Sequence, residues 1–368
     1  MRAFTYTRRW LLLVGGLPWL AAAAACGGAG DAPASDAAPG LETTEAEVGR
    51  GLDRVVRWGR DIRLEENDQV LNVFVYMERD PRGGFLVADP RENQIRRYDR
   101  DGRLLGHFGR RGEGPGEFNV LVRALPTRSG GVLAFNAFER GTVFDSAGRV
   151  ARTFRSPMEM LYEARPLDDT LVLLAGRLPQ RVPTADRPRL HVWNLPRGKV
   201  VRSFFRPRVS GRAHELAATN VGIVSMDVRH DTVAAVFSVI DTVYFFGLDG
   251  RALRKVPIPF RHFRRVSERR RLPGPDDDIV AAREWVGTFS FICRVWWLRD
   301  GTLLVQYQDR VGLEPHWRLL GMTGEGAPLF DAVETPYLIQ VDPVTEVLYF
   351  QKPQSPVPNV WTEATLRR

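Results

Sequence analysis

One pattern of residues recurs along this 368-residue chain, and it constrains the fold more than any other feature. Each copy reads as a small or acidic turn, an apolar strand, a short polar turn, a second strand, an Asp-x-Gly turn and a third strand. The first copy is Gly83–Asp89, Gln94–Tyr98, Asp99-Arg100-Asp101-Gly102-Arg103 and Leu104–Gly109. The second is Gly130–Asn136, Gly141–Phe144, Asp145-Ser146-Ala147-Gly148-Arg149 and Val150–Phe154. A third runs Asp231–Phe237, Thr242–Phe246, Leu248-Asp249-Gly250-Arg251 and Ala252–Val256. A looser one joins Asp169–Leu174, Leu190–Trp193, Pro196-Arg197-Gly198-Lys199 and Val200–Phe205. Two further segments follow the pattern in part: Asp300–Gln306 with Trp317–Leu320, and Thr345–Phe350 with Val360–Thr365. Short runs rich in Val, Leu, Phe and Tyr between Gly, Asp, Asn and Pro turns are strand signals. Helical periodicity is scarce after residue 50.

The repeat period selects the architecture. Corresponding strands begin at Gly84, Gly131, Thr170, Thr232, Thr302 and Glu346, with gaps of 47, 39, 62, 70 and 44 residues. Units of this size are those of propeller blades, here with two longer insertions. An apolar strand ahead of each supplies the innermost position: Val73–Met77, Val120–Leu125, Leu161–Arg165, Gly222–Asp227, Ser290–Leu298 and Tyr337–Asp342. The expectation is an all-β, six-bladed β-propeller of four-stranded blades over residues 50–368. The last unit lacks a fourth strand after Thr365, and Arg60–Leu64 is free to supply it. An N-terminal strand would then close the ring and remove an exposed edge. The alternative is a pair of β-sandwiches, which do not repeat this pattern.

The first unit carries a resemblance. Val87-Ala88-Asp89-Pro90-Arg91-Glu92-Asn93-Gln94-Ile95-Arg96-Arg97-Tyr98-Asp99, then Asp101-Gly102, then Phe108-Gly109-Arg110-Arg111-Gly112-Glu113-Gly114-Pro115-Gly116-Glu117-Phe118, resembles an NHL-repeat blade. It is similar to bacterial six-bladed β-propeller lipoproteins with a Gly-Glu-Gly-Pro-Gly-Glu-Phe turn. The motif is specific in this blade, moderate in the second and faint from residue 156 onward. The residues support a structural role as well. Asp101-Gly102 suits a tight hairpin. Gly112, Gly114, Pro115 and Gly116 make a rigid crossing between blades, with Phe118 packing where the next inner strand begins. A phosphate cradle is the other reading of such glycines, but no Lys-Ser/Thr follows and no helix opens there.

The N-terminus reads as an address. Met1-Arg2 and Arg8-Arg9 precede an apolar run from Trp10 to Ala25, too short and too interrupted by Gly and Pro for a membrane span. Ala23-Ala24-Ala25-Cys26-Gly27 resembles the lipobox of bacterial lipoproteins. That resemblance implies removal of residues 1–25, lipidation of Cys26 and anchoring on a membrane. An ordinary secretory signal with an incidental cysteine is the alternative. Thr7-Arg8-Arg9-Trp10-Leu11-Leu12 also resembles a twin-arginine export signal. Residues 27–49 are Gly, Ala, Asp, Pro, Ser and Glu with few large apolar groups, and read as a flexible tether behind Cys26.

Charge points the same way. The formal net charge is +8, of which Arg2, Arg8 and Arg9 contribute three, leaving +5 without the leader. Only Lys199, Lys255 and Lys352 are lysines, so arginine predominates throughout and is mostly interspersed with acids. Such scattering reads as compositional bias, not as a nucleic-acid footprint. Arg261–Asp278 differs. Arg264, Arg265, Arg269, Arg270 and Arg271 crowd ahead of Pro273-Gly274-Pro275-Asp276-Asp277-Asp278. This is a candidate basic loop for anionic lipid, polysaccharide or a partner's carboxylates. It also reads as a solvated amphipathic helix followed by another at Asp277–Trp285. The second insertion, Arg177–Arg189, reads as a surface loop.

Catalytic signals are sparse. Cys26 and Cys293 are the only cysteines, which excludes a disulfide scaffold or a multi-cysteine metal site. Cys293, in the alternation Phe291-Ile292-Cys293-Arg294-Val295, reads as a strand residue. His107, His191, His214, His230, His262 and His316 form no close pair. Glu159, Asn220 and Asp227 fall at inner blade ends and are candidate oxygen ligands for calcium. The sequence therefore supports a membrane-anchored monomeric binding module for an envelope protein or polysaccharide, with no cofactor, no nucleic acid and no catalysis of its own. The alternative is a metal-dependent hydrolase or lyase of lactonase-like type acting in the central channel, with calcium as its ion. That alternative rests on fold analogy.

Overall fold

The computed structural model describes residues 51–66, 75–137, 140–179, 187–274, 279–311, 314–352 and 359–367. The leader, Cys26 and the tether lie outside the described residues. Six four-stranded antiparallel sheets make up the six-bladed β-propeller. Blade 1 is β2 (Tyr76–Arg79), β3 (Phe85–Asp89), β4 (Gln94–Tyr98) and β5 (Leu104–Phe108), counted from the centre outward. A short parallel pair, β6 (Arg110–Arg111) and β7 (Glu117–Phe118), sits in the crossing to blade 2. Blade 2 is β8 (Leu121–Pro126), β9 (Val132–Asn136), β10 (Arg140–Phe144) and β11 (Val150–Arg155). Blade 3 is β12 (Met160–Pro166), β13 (Leu171–Arg177), β14 (Leu190–Asn194) and β15 (Lys199–Phe204). Helix α1 (Arg212–Asn220) precedes blade 4, which is β16 (Val224–Arg229), β17 (Thr232–Phe237), β18 (Ile240–Gly247) and β19 (Ala252–Pro257). Helix α2 (Ile279–Val286) precedes blade 5: β20 (Phe291–Trp297), β21 (Leu303–Val311), β22 (Glu314–Met322) and β23 (Pro328–Thr335). Blade 6 combines β24 (Leu338–Val341), β25 (Leu348–Gln351) and β26 (Val360–Leu366) with β1 (Val56–Arg63) from the other end of the chain.

Burial explains the strand pattern. The second strand of a blade lies between two neighbouring blades, so both its faces are covered. Phe85–Asp89 and Val132–Asn136 are buried at every position. Such strands read as continuous apolar runs and not as alternations. Outer strands keep a wet face, and β11 is exposed along most of its length. The apolar core divides into six clusters, one at each seam between blades. Leu86, Ile95, Leu121, Val132 and Phe144 fill the seam between blades 1 and 2.

The turns follow from their residues. Asp99 accepts from the backbone N–H groups of Asp101 and Arg103, each at 2.9 Å, and Asp145 repeats this with Ala147 and Arg149. Gly102 follows with φ +89°, and a Cβ there would meet the Arg63 carbonyl at 2.4 Å. In the Gly-rich crossing, the Glu117 carboxylate accepts from Gly114 N–H at 2.8 Å and from Arg110 Nε at 2.8 Å. Phe118 is fully buried just ahead of β8, as the sequence suggested.

Antiparallel order sends the connections to opposite faces. Turns joining strands one to two and three to four lie on one face. Loops joining strands two to three, and the crossings between blades, lie on the other, termed here the crossing face. Both helices are on the crossing face. The helix anticipated over the arginine-rich stretch is absent: residues 261–271 are irregular. Its apolar residues are taken up by tertiary contacts along this path. Phe260 and Phe263 stack at 4.5 Å and contact the Tyr307 ring, while Val266 is buried further along. The following helix begins at Ile279, close to the Asp277 expected, whereas α1 was not foreseen.

Ring closure is carried by β1, whose register pairs Val56 with Leu366 and Arg63 with Val360. It begins four residues earlier than Arg60. Ile62, 1% exposed, enters the apolar cluster between blades 6 and 1 beside Trp361. The Ile62→Ala variant should lose about 3 kcal/mol of stability in urea unfolding. The exposed neighbour Arg57→Ala should change it by less than about 0.5 kcal/mol.

Candidate functional site

The channel is the place where a propeller gathers its inner strands, and here charged side chains fill it. Three arginines and three acids come from five different inner strands: Glu78 of β2, Arg123 of β8, Glu163 and Arg165 of β12, Asp227 of β16 and Arg294 of β20. Side chains two apart on a strand share a face, which places Glu163 and Arg165 together. The Arg165 guanidinium bonds Glu78 of blade 1 at 2.7 Å and Glu163 at 2.9 Å. Arg123 approaches Glu163 at 3.7 Å and lies over the Tyr76 ring, 3.7 Å from its centroid. Glu163 also accepts from Met226 N–H of blade 4 at 3.2 Å.

The links continue around the ring. Asp227 accepts from Trp297 N–H of blade 5 at 2.7 Å. Arg294 donates to the Ile339 carbonyl of blade 6 at 2.7 Å, and Trp296 Nε1 donates to Gln340 at 2.7 Å. Gln340 in turn donates to the Met77 carbonyl of blade 1 at 2.8 Å. Arg79 pairs with Asp342 across the same seam at 3.0 Å. Every seam is thus crossed by a polar contact between inner strands.

The electrostatics follow from this crowding. Burial alone would raise the Glu163 carboxyl, but the charges of Arg165, Arg123 and Arg294 hold it below the ordinary range. Burial also opposes the charge of Arg165, and Glu78, Glu163 and Asp227 more than reverse that. Asp227 has less help. Burial pushes its carboxyl up to about 6, with the Arg165 charge and two backbone N–H groups only partly offsetting it.

The structure does not bring the three candidate oxygen ligands together. Asp227 belongs to the channel ring. Glu159 sits at the start of β12 and approaches Arg187 at 3.4 Å. Asn220 ends α1, and its side chain is outside the described residues. Among the described residues, no three His, Cys, Asp or Glu converge as a metal site. His191 is buried in β14, His316 pairs with Glu334 at 2.8 Å in β22, and Cys293 is half-buried in β20 with its thiol toward the Phe291 carbonyl. Open spaces lie away from the channel. One of about 460 Å³ is lined by Glu113, Arg140 and Phe154, and one of about 430 Å³ by Arg60, Arg79 and Glu363.

The arginines of the crossing loop between β19 and β20 are exposed: Arg264, Arg265, Arg269, Arg270 and Arg271. The loop is pinned by its own polar groups. Arg265 Nε donates to Asp241 at 2.9 Å, and Arg264 approaches Asp309 at 3.6 Å. Between them and the last three arginines, the Glu268 carboxylate accepts from Ala213 N–H at 3.0 Å and His214 N–H at 3.2 Å, capping α1. Those backbone bonds hold its carboxyl below the usual range. The surface-loop reading of Arg177–Arg189 needs correcting at its ends. Residues 180–186 are outside the described residues, but Arg177, Arg187 and Arg189 are all buried, because α1 packs over them.

Of the channel residues, sequence reasoning singled out only Asp227. The available signal was Glu163-x-Arg165, an acid and an arginine two apart within an inner strand, where a wholly apolar strand would have sufficed.

No protein-family model matches the chain, and no curated protein matches it in sequence. The likeness to known proteins is one of fold. A member of the DUF4221 family from Bacteroides vulgatus superposes with a TM-score of 0.60 at 11% identity, over 85% of this chain and 98% of that one. A protein from Bacteroides fragilis whose description calls it exported gives 0.57 at 12% identity, over 87% and 98%.

Two outcomes are expected. Because the Asp227 carboxyl titrates higher folded than unfolded, the folded chain binds more protons between about pH 4 and 6. Its contribution to stability therefore falls as pH rises through that window. The difference in urea-unfolding free energy between wild type and Asp227→Asn should fall by up to about 3 kcal/mol from pH 4 to above 6. Glu163→Gln leaves two buried guanidiniums short of a charge and should destabilise by about 3 kcal/mol at neutral pH.

Proposed function

We propose that this chain is an exported, lipid-anchored propeller of the bacterial cell envelope that binds an envelope protein or polymer as a monomeric scaffold. The observation that carries the reading is the filled channel. A site that processes a small ligand needs a concave pocket the ligand can enter. Here that space is taken by charged side chains bonded to one another across the blades, which leaves the outer faces to make contact. The crossing face is the more elaborated of the two, with α1, α2 and the exposed arginine loop. Arg269 and Arg270 stand on it as cations suited to carboxylates or other anionic groups.

Support for the address comes from the leader and from Ala23-Ala24-Ala25-Cys26. The Gly-Glu-Gly-Pro-Gly-Glu-Phe crossing supports an NHL-like reading of the first blade. The exported Bacteroides fragilis protein with this fold agrees with an envelope role.

The test joins fractionation to crosslinking in the native envelope. Wild type should label with palmitate and sediment with membranes, and Cys26→Ser should do neither. The Arg269→Glu/Arg270→Glu double variant should keep the wild-type melting temperature and lose the crosslinked partner. An unaltered partner profile in that variant would remove the arginine loop from the interface. One calcium per chain surviving dialysis, together with turnover, would replace binding with catalysis.

A further inference from the structure

Three arginines are buried together beneath α1 with a single carboxylate among them, whereas the buried Arg96, Arg97 and Arg123 each approach an acid of their own. Arg177 ends β13, and Arg187 and Arg189 flank Pro188 at the entry to β14. They are 3%, 4% and 0% exposed. Their contacts converge on one place. Arg177 Nη1 donates to the Thr219 carbonyl at 3.4 Å, and Arg189 Nη2 to the adjacent Ala218 carbonyl at 3.5 Å. Arg187 Nη1 reaches Glu159 at 3.4 Å, and Glu159 N–H donates to the Arg177 carbonyl at 2.7 Å. The guanidinium bonds are all long. Four further buried donors have no partner: Nε of Arg177, of Arg187 and of Arg189, and Nη1 of Arg189.

The charge does not balance among the described residues. Arg96 lies 3.8 Å from buried Asp89, and Arg97 lies 2.6 Å from buried Asp80. The trio shares only Glu159, whose side chain is 42% exposed. His191 beside them adds no charge near neutrality, because burial and then the neighbouring Arg189 and Arg187 push it down to about 4. The Phe237 ring, 5.4 Å from the Arg189 guanidinium, softens the deficit without closing it. Buried charges are retained when they are paired, and unpaired buried donors are costly.

We propose that Arg177, Arg187 and Arg189 form an enclosed binding site for a doubly charged tetrahedral oxyanion of the phosphate or sulfate class, between the start of β12 and the end of α1. The ligand class follows from charge. Three guanidiniums against one carboxylate leave an excess of two positive charges among the described residues, which a doubly charged anion balances and a carboxylate does not. The four unpartnered donors give such an ion hydrogen bonds from all three arginines. The site is on the crossing face, so the same chemistry could arrive as a free ion or as a phosphoester group of a larger ligand.

The experiment uses the full chain, stripped of anions by dialysis, with inorganic phosphate, sulfate, acetate and chloride compared at equal ionic strength. Phosphate or sulfate should raise the melting temperature saturably, and acetate and chloride should not. Arg189→Met should weaken phosphate binding by about tenfold or more in calorimetric titration. In anion-free buffer it should melt no lower than wild type, since it removes an uncompensated buried charge. Arg187→Gln provides a second variant should Arg189→Met fail to fold. A parallel titration with glycerol 3-phosphate separates the sources: saturation by it supports an ester-bearing ligand, and saturation by inorganic phosphate alone supports an enclosed ion. Equal stabilisation by chloride or acetate, or undiminished phosphate binding in both variants, overturns the proposal.

Discussion

Charges buried in the middle of a ring are tolerable only when each has a counter-charge or a hydrogen bond, and in this protein those partners come from other blades. Arg165 of blade 3 is satisfied by Glu78 of blade 1 as well as by its own Glu163. Glu163 reaches blade 4, Asp227 reaches blade 5, Arg294 reaches blade 6 and Gln340 returns to blade 1. No single blade can meet these requirements alone. The inner ring therefore penalises partial assemblies more than the closed one, and does so at the position where all six sheets approach one another. Apolar seams supply the bulk attraction between neighbours. The polar ring adds a condition on closure.

That division also organises the faces. Short Asp-Gly turns finish one side with little to spare. The other side carries every blade crossing and the longer connections: the Gly-rich crossing, the β13–β14 loop, α1, the arginine loop and α2. Glu268 ties the arginine loop to the start of α1, while Arg177 and Arg189 hold its end. Helix α1 is thus fastened at both termini by side chains from other segments, the β19–β20 crossing at its start and the β13–β14 loop at its end.

Much of the architecture was legible because each blade repeats the same burial problem. Apolar second strands and Asp-x-Gly turns recur at the spacing a blade requires, and the missing sixth outer strand could be traced to the opposite end of the chain. Local chemistry was less legible. The arginine loop looked helical by charge spacing, yet its path is set by the contacts of Phe260 and Phe263 with Tyr307 and by the burial of Val266, which no local pattern shows. Arg187 and Arg189 looked solvated, because an arginine-rich segment gives no local sign that a helix thirty residues later will cover it. The channel ring was hidden for the same reason. Its members are ordinary charged residues one or two to a strand, and only the closed ring makes neighbours of them.

Closure by β1 has a mechanical consequence. The outermost strand of blade 6 is also the first strand among the described residues, and its Val56 end lies opposite Leu366. Any tension transmitted through the preceding segment meets the buried Leu52 and then that strand, at one edge of one blade. The eight residues of β1 then act as the fuse of the assembly. Detaching them would bare β26 while the inner ring, which takes no side chain from β1, still holds the other strands in place.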